Sequence, residues 1–386
     1  MRVSIITETW PPEVNGVALT VQGLAHGLAA RGHAVQVVRP RQPGSHTPDS
    51  LVTTLAVRGA ALPRYPGLRF GLPCGGRLRR EWRQTPPDAI YIATEGPLGM
   101  SAMSAAKRLG IPVCTGFHTR FNDYLGHYGL GWLTSLAVAH LRRFHNRAAA
   151  TLVPTRERGH ELSKLGIGNA RLLRRAVDTN LFHPQRRDTV LRQAWGVGDD
   201  DPVAIYVGRI APEKNLDLAV QAFRKLQARV PGARYVWVGD GPRRAELAAK
   251  NPDFIFAGTQ LGEDLARHYA SADLFLFPSL TETFGNVTLE AMASGLAIVA
   301  FDQGAAHEHI ANGIGGMRVP ADEPNAFIAA AFALGVDDVL RGALRQNART
   351  AVASLAPEAV IADFESLLLS LAQENTHGHP AVAARI

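Results

Sequence analysis

The sequence predicts an α/β fold of two doubly wound parallel-sheet domains, and three observations predict it. Short apolar runs alternate with amphipathic helical stretches from the first residues onward. A second round of the same alternation begins near residue 185. A length of 386 residues fits two domains, and 46% hydrophobic residues with 37 glycines is ordinary for a globular α/β chain.

The first round opens with a strand, Arg2–Thr7, and a turn-rich loop through Trp10-Pro11-Pro12 and Asn15-Gly16. Val17, Val21, Leu24 and Leu28 then share one helical face up to Gly32, and Ala34–Val38 is the next strand. Pro40–Pro87 reads as the longest irregular part. A strand near Ile90–Ala93, a helix near Met100–Leu109 and a strand Pro112–Thr115 continue the alternation. The segments Thr94–Gly99 and Thr115–Phe121 follow strands, and strand C-terminal ends are where open α/β sheets bind ligands. His118 lies in the second of them, in a loop aimed at a cleft between the domains. Gly131–Asn146 reads as a helix whose stripe of Leu133, Leu136, Ala137, His140 and Leu141 packs on the core. Ala148–Pro154 is a further strand, and Thr155 starts a helix.

In the second round, Val203–Val207 is a buried strand that ends at Gly208, with Arg209 and Lys214 in the loop before the next helix. Two cations at a turn that phosphate can approach suit a diphosphate leaving group. Tyr235–Val238 and Asp253–Ala257 are strands. Leu274–Phe277 is a buried strand, followed by a polar loop with Glu282, Phe284 and Gly285. Asn286 is the expected N-cap of a helix Val287–Ser294, with Gly295 as its stop, and Leu296–Phe301 is the next strand. A helix N-terminus presents free N–H groups to phosphate, and Gly285 lets the backbone come close. Glu282 in the loop and Glu290 inside the helix can reach opposite ends of a sugar nucleotide; the plain alternative is two solvated glutamates. Asp199-Asp200-Asp201 looks like a D-x-D metal motif, but its place before a strand favours a solvated turn. Helices are expected at 325–334, 337–347 and 357–373, and the tail from Glu374 is expected to lack fixed structure.

The net charge is +7 and its excess lies in the first half. Arg58–Arg83 holds seven arginines and one acid, Glu81; Arg142–Arg175 holds eight arginines, Lys164 and two acids. No zinc-finger, RNP or helix-turn-helix pattern accompanies them, so an anionic membrane surface is expected rather than nucleic acid. Arg77, Arg79, Arg80 and Trp82 are the candidate membrane or acceptor contacts, with Leu68, Phe70, Leu72 and Leu78 interleaved. Cys74 and Cys114 make neither a disulfide framework nor a metal site, and the N-terminus has no signal-peptide pattern. No 18-residue apolar run is present, so no transmembrane helix is expected.

The segment Glu282-Thr-Phe-Gly-Asn-Val-Thr-Leu-Glu290 resembles the E-x7-E motif of the retaining glycosyltransferases of family 4. Asp302-x-Gly304, Glu308, Gly313, Gly208-Arg209 and Lys214 follow that family's spacing, so the resemblance covers nearly the whole chain. The segments around Glu95 and His118 are most similar to members acting on lipids, such as phosphatidylinositol mannosyltransferases and sulfoquinovosyl or glucosyl diacylglycerol synthases. One departure stands out: the family's Gly-Val-Asp is Ala176-Val177-Asp178 here.

The resemblance implies a GT-B fold, two Rossmann-like domains facing a cleft. The expected domains are 1–175 on the acceptor side and 176–360 for the nucleotide sugar, with a last helix in 361–386 crossing back. It implies retaining transfer of a hexose from a nucleoside diphosphate sugar to a lipid hydroxyl. GDP-mannose is the favoured donor; a UDP-hexose, a soluble acceptor or a non-catalytic sugar-nucleotide-binding protein are the alternatives. The implied catalytic set is His118, Arg209, Lys214 and Glu282. Gly16, Gly208, Phe284, Gly285, Asn286 and Glu290 are the implied donor contacts. Neither a cofactor nor a metal is expected, because the paired cations take the metal's place. The expected location is cytoplasmic, peripheral on the inner face of the plasma membrane.

Overall fold

The computed structural model describes residues 1–13, 16–42, 49–61, 69–118, 131–198, 200–282 and 284–378. The chain packs as two units, residues 1–175 with 357–386, and residues 176–356.

The first unit holds a seven-stranded parallel sheet. Its strands are β1 (Arg2–Ile6), β2 (Ala34–Pro40), β3 (Thr53–Val57), β6 (Ala89–Ile92), β7 (Val113–Gly116), β8 (Ala150–Val153) and β9 (Ala170–Leu172), in the order β3-β2-β1-β6-β7-β8-β9. The short β4 (Gly59–Ala61) and β5 (Arg69–Gly71) form a separate antiparallel pair. Alternate residues of each strand face opposite cores, as the two-residue period requires. Val3, Ile5, Val37 and Tyr91 point into one core, and Ile6, Val38, Ile90 and Ile92 into the other. Both faces are covered, as is usual for parallel sheets. Strand order reverses between β1 and β6, and the loops Thr7–Glu13 and Ala93–Gly96 meet at that switch point.

The last helix, Pro357–Gly378, belongs to this first unit. Val360, Phe364, Leu368 and Leu371 are buried with Tyr91. At Gly27 of helix Gly16–Ala30 a Cβ would lie 2.1 Å from the Ile361 Cδ1, so the Ile361 side chain packs directly over the glycine. Arg31 and His33 both bond Glu365, and Arg174 bonds Asp363 at 2.9 Å. The helix is continuous past Glu374, where the sequence predicts loss of structure; residues after 378 lie outside the described residues.

Two more sequence expectations for this unit are corrected. Pro40–Pro87 is not irregular, because it holds β3, β4, β5 and the helix Gly75–Gln84. Leu78 and Trp82, one helical turn apart, are 0% and 2% exposed in the core beside Met103. Trp82 is therefore not available to a membrane, whereas Arg77, Arg80 and Arg83 are exposed and Arg79 is half-buried. Leu68 and Arg64 lie outside the described residues. The apolar stripe of helix Gly131–His145 does not pack along its length either. Leu136 is 64% exposed and His140 is exposed; among the described side chains of this helix burial is confined to Leu141, Phe144 and His145 at its end, and Leu133 lies outside them.

The second unit holds a six-stranded parallel sheet. Its strands are β10 (Val203–Val207), β11 (Arg234–Val238), β12 (Ile255–Gly258), β13 (Leu274–Phe277), β14 (Ala297–Phe301) and β15 (Met317–Val319), ordered β12-β11-β10-β13-β14-β15. β10 and β13 are neighbours, Ala204 against Leu274 and Ile205 against Phe275. The order reverses between them, so the loops after β10 and β13 open at one switch point. Beneath the sheet, Asp273 accepts from Arg187, Arg192 and Arg345 and ties three segments to the start of β13. Asp199 lies outside the described residues. Asp201 accepts the Gly198 N–H at 2.8 Å, a turn contact.

Candidate active site

In the second unit the two switch-point loops are locked by backbone contacts that exclude side chains. Gly239 has φ 129°, and a Cβ there would lie 2.0 Å from the Gly208 carbonyl oxygen. Gly304 has φ 56°, and its Cβ would lie 2.4 Å from the Phe284 carbonyl oxygen, which accepts the Ala305 N–H at 2.6 Å. Tyr206 donates to the Arg209 carbonyl at 3.0 Å and fixes the loop after β10.

Those loops bring the predicted residues together. Lys214 ends a 3-10 turn and sits 2.5 Å from Glu282 Oε1, both side chains largely buried. Ser279 donates to the same oxygen at 2.8 Å. Arg209 pairs with Glu213 and is the more exposed cation, at 63%. Thr281 donates to the Glu213 carbonyl at 3.4 Å, a second tie between the loops. Glu213 carries no periodic signal in the sequence, and its pairing with Arg209 was not foreseen.

The helix after β13 runs Asn286–Ala293, and its cap is Gly285 at φ 90°, not Asn286. The left-handed backbone at Gly285 turns the chain so sharply that Asn286 is already helical, and among the described residues no side chain caps the first N–H groups. Gly285 and the start of the helix thus offer uncapped donors beside Glu282 and Lys214. Phe284 is buried, edge-on to His309.

Glu290 accepts from Tyr269 at 3.0 Å through Oε2, and burial pushes its carboxyl up to about 7. Tyr269 is fully buried and was not singled out in the sequence. For the ribose contact that the sequence resemblance implies for Glu290, the ionised carboxylate is the binding form. Affinity for a bare nucleoside diphosphate is therefore expected to fall as pH drops below about 7, by at most roughly tenfold per unit for one proton. Calorimetry between about pH 6 and pH 8 checks this, with Glu290→Gln as the control that removes the pH-dependent part.

In the first unit His118 follows β7 and is 9% exposed. Its Nδ1 accepts from Arg175 Nη2 at 2.7 Å, and its Nε2 lies 2.7 Å from Tyr91 Oη. Burial first, then Arg175 and His145, hold its imidazole well below the ordinary histidine value. Arg175 and Tyr91 were not singled out in the sequence. They meet His118 across 57 and 27 residues of chain, and only the sheet order brings them together. Ala176, the next residue in the chain after Arg175, is exposed, and Asp178 accepts the N–H groups of Asn180 (3.0 Å) and Leu181 (2.9 Å).

At the β1/β6 switch point Glu8 accepts the Leu98 N–H at 3.0 Å, at the start of helix Pro97–Leu109. A Cβ at Gly96 would lie 2.2 Å from that carboxylate, which accounts for the glycine after Glu95. Burial, partly offset by the Leu98 bond and reinforced by Glu95, pushes Glu8 up to about 7. Gly16 is the exposed first residue of its helix.

This architecture and these loops match known proteins. The family described as Glycosyltransferase Family 4 matches residues 14–181, and Glycosyl transferases group 1 matches residues 201–337. A GDP-mannose-dependent alpha-mannosyltransferase of Mycobacterium tuberculosis (strain CDC 1551 / Oshkosh) is 34% identical over 328 residues, covering 84% of this chain and 85% of its own. An alpha-monoglucosyldiacylglycerol synthase of Acholeplasma laidlawii is 27% identical over 396 residues, covering 97% of this chain and 98% of its own. Among solved structures, sucrose-phosphate synthase from Thermosynechococcus elongatus superposes with a TM-score of 0.77. It shares 19% identity over 97% of this chain and 99% of its own, a likeness of fold.

Proposed function

The chain belongs to glycosyltransferase family 4 and has the GT-B fold, and from that premise we propose that it moves a hexose from a nucleoside diphosphate sugar to a lipid hydroxyl with retention at the anomeric carbon. The observation that carries the reading is the convergence of the loops after β10 and β13, with Lys214 2.5 Å from Glu282 and Arg209 beside them.

Each group then has a task. Arg209 and Lys214 stabilise the charge growing on the departing diphosphate, where preorganised cations act most strongly. Both are held by carboxylates until a donor arrives: the phosphates displace Glu213 from Arg209, and Glu282 turns from Lys214 to sugar hydroxyls. The N–H groups at Gly285 and Asn286 bind phosphate oxygens, with Gly208 and Phe284 shaping the approach. Glu290 accepts from the ribose, and Tyr269 holds its other oxygen. His118 hydrogen-bonds the sugar, and the loop at Gly16 covers the phosphates and acceptor. In the reaction the bond from the anomeric carbon to the diphosphate breaks, and the bond to the acceptor oxygen forms on the same face. The acceptor proton passes to the leaving phosphate.

GDP-mannose is the donor we favour, supported by the name of the 34% identical relative. The lipid acceptor is supported by the diacylglycerol synthase name and by phosphatidylinositol monomannoside mannosyltransferase among the relatives. The test is transfer measured over a panel of GDP- and UDP-hexoses with lipid and soluble acceptors. Turnover fastest with a UDP-hexose or a soluble sugar overturns the donor or the acceptor respectively.

Metal independence follows from the paired cations, which supply the charge a divalent ion supplies elsewhere. EDTA is expected to leave the rate within about twofold. Its abolition, with recovery on magnesium or manganese, contradicts the role given to Arg209 and Lys214.

No helix among the described residues is long and apolar enough to cross a membrane. We place the enzyme at the inner face of the plasma membrane, held by the outward arginines of helix Gly75–Gln84. Because Leu78 and Trp82 are buried, that attachment is electrostatic, at roughly 1 kcal/mol per arginine near the surface. Sedimentation with anionic liposomes is expected to be strong at low salt and weak at high salt. Arg77→Glu with Arg80→Glu removes most of it. Indifference of the unaltered protein to anionic liposomes at low salt overturns the assignment.

A further inference from the structure

We infer that Arg175 is a positioning residue that fixes His118 as a neutral imidazole with its proton on Nε2, so that His118 serves transfer as a hydrogen-bond donor and not as an acid or base. The part concerning transfer rests on the proposed place of His118 at the sugar.

A guanidinium only donates hydrogen bonds. With Arg175 Nη2 2.7 Å from His118 Nδ1, that nitrogen is the acceptor, and the ring proton of a neutral imidazole must sit on Nε2. Tyr91 Oη, 2.7 Å from Nε2, accepts it in the free enzyme, and a substrate oxygen reaches Nε2 only when this buried phenol turns aside. At Gly116 a Cβ would lie 2.3 Å from Tyr91 Oη and 2.5 Å from His118 Nε2, so the backbone closes against the pair and only glycine leaves room for it.

The charge balance gives the same answer. Arg175 is 8% exposed, and no carboxylate pairs with it among the described residues. Among the described residues three titratable groups face His118: Arg175 after β9, Tyr91 on β6 and His145 at the end of its helix. None carries negative charge at neutral pH, since burial raises the Tyr91 phenol and lowers His145 to about 4. Cys114, on the neighbouring strand, and Glu95, in the loop after β6, act on Tyr91. A second positive charge against Arg175 in this enclosed place is disfavoured, so His118 stays neutral. The arrangement supplies a directed donor whose protonation does not change with pH over the working range.

Two measurements on the full chain test this. Nitrogen-15 histidine labelling distinguishes the tautomers by two-bond nitrogen–proton correlations, with His118 assigned by the signal missing from His118→Gln. The Nε2–H pattern is expected to persist without titration from about pH 8 to about pH 5, well past the ordinary value of roughly 6.5. Arg175→Met is expected to let His118 titrate near that value, and Arg175→Lys to preserve the pattern. An Nδ1–H tautomer, or titration between about pH 6 and pH 7 in the unaltered enzyme, overturns the inference even if Arg175→Met fails to fold. The second measurement is the pH profile of kcat/KM, whose acid limb, set near pH 7 by Glu290 alone in the unaltered enzyme, steepens toward two protons in Arg175→Met as His118 titrates too, and returns to one in Arg175→Lys. A limb of unchanged slope while the spectra behave as expected overturns the use of His118 in transfer and leaves the tautomer assignment standing.

Discussion

Arg209→Ala and Lys214→Ala each lower kcat by on the order of 10² to 10³, while the chain stays folded. The magnitude is that of one preorganised charge lost from a developing anion. The fold is spared for different reasons at the two positions. Arg209 is mostly exposed, and among the described residues its side chain bonds Glu213 alone, so its loss leaves the core untouched. Lys214 is more enclosed, yet Glu282 keeps its bond from Ser279 when Lys214 is gone. Glu213→Gln is the informative companion, because it removes the carboxylate that occupies Arg209 without touching the cation. Affinity for a nucleoside diphosphate should rise in Glu213→Gln and fall in Arg209→Ala. Turnover near that of the unaltered enzyme in both cation variants rejects the diphosphate assignment.

Glu290→Ala weakens binding of the bare nucleoside diphosphate on the order of ten- to a hundredfold, the loss of charge-assisted bonds to the ribose. Glu282→Ala does the opposite: its diphosphate affinity stays within about threefold or improves, because Lys214 loses a competing carboxylate. Transfer nonetheless falls by on the order of 10², since sugar contacts made in the transition state are gone. Calorimetry with the bare nucleotide and turnover with the full donor separate the two. Equal losses of nucleotide affinity show that the carboxylates are not divided between ribose and sugar.

Local pattern carried most of the fold. The runs at Leu274–Phe277 and Val203–Val207 are strands with the bounds that their flanking Asp273, Pro278 and Gly208 suggest, because a buried parallel strand needs unbroken apolar residues. Helix Gly75–Gln84 was hidden by composition. Two glycines and four arginines obscure the one turn that separates Leu78 from Trp82, and that single turn is all its packing uses. The stripe on Gly131–His145 failed in the other direction, since periodicity tells which residues share a face and not whether anything covers it. In the site, Arg209, Lys214, Glu282 and Glu290 were legible as a family spacing. Their acidic and phenolic partners were not, because Glu213 and Tyr269 are recognised only once the strands set β10 beside β13. The same holds for Arg175, whose meaning depends on a histidine 57 residues away.

The central claim is retaining transfer from a nucleotide sugar, and the anomeric configuration of the product tests it most directly. GDP-mannose of α configuration is incubated with the enzyme and a lipid acceptor, and the new linkage is read from its one-bond carbon–hydrogen coupling by NMR. The account predicts an α-mannoside. A β-mannoside would mean attack from the opposite face, and would contradict both the front-side geometry and the roles given to Arg209, Lys214 and Glu282.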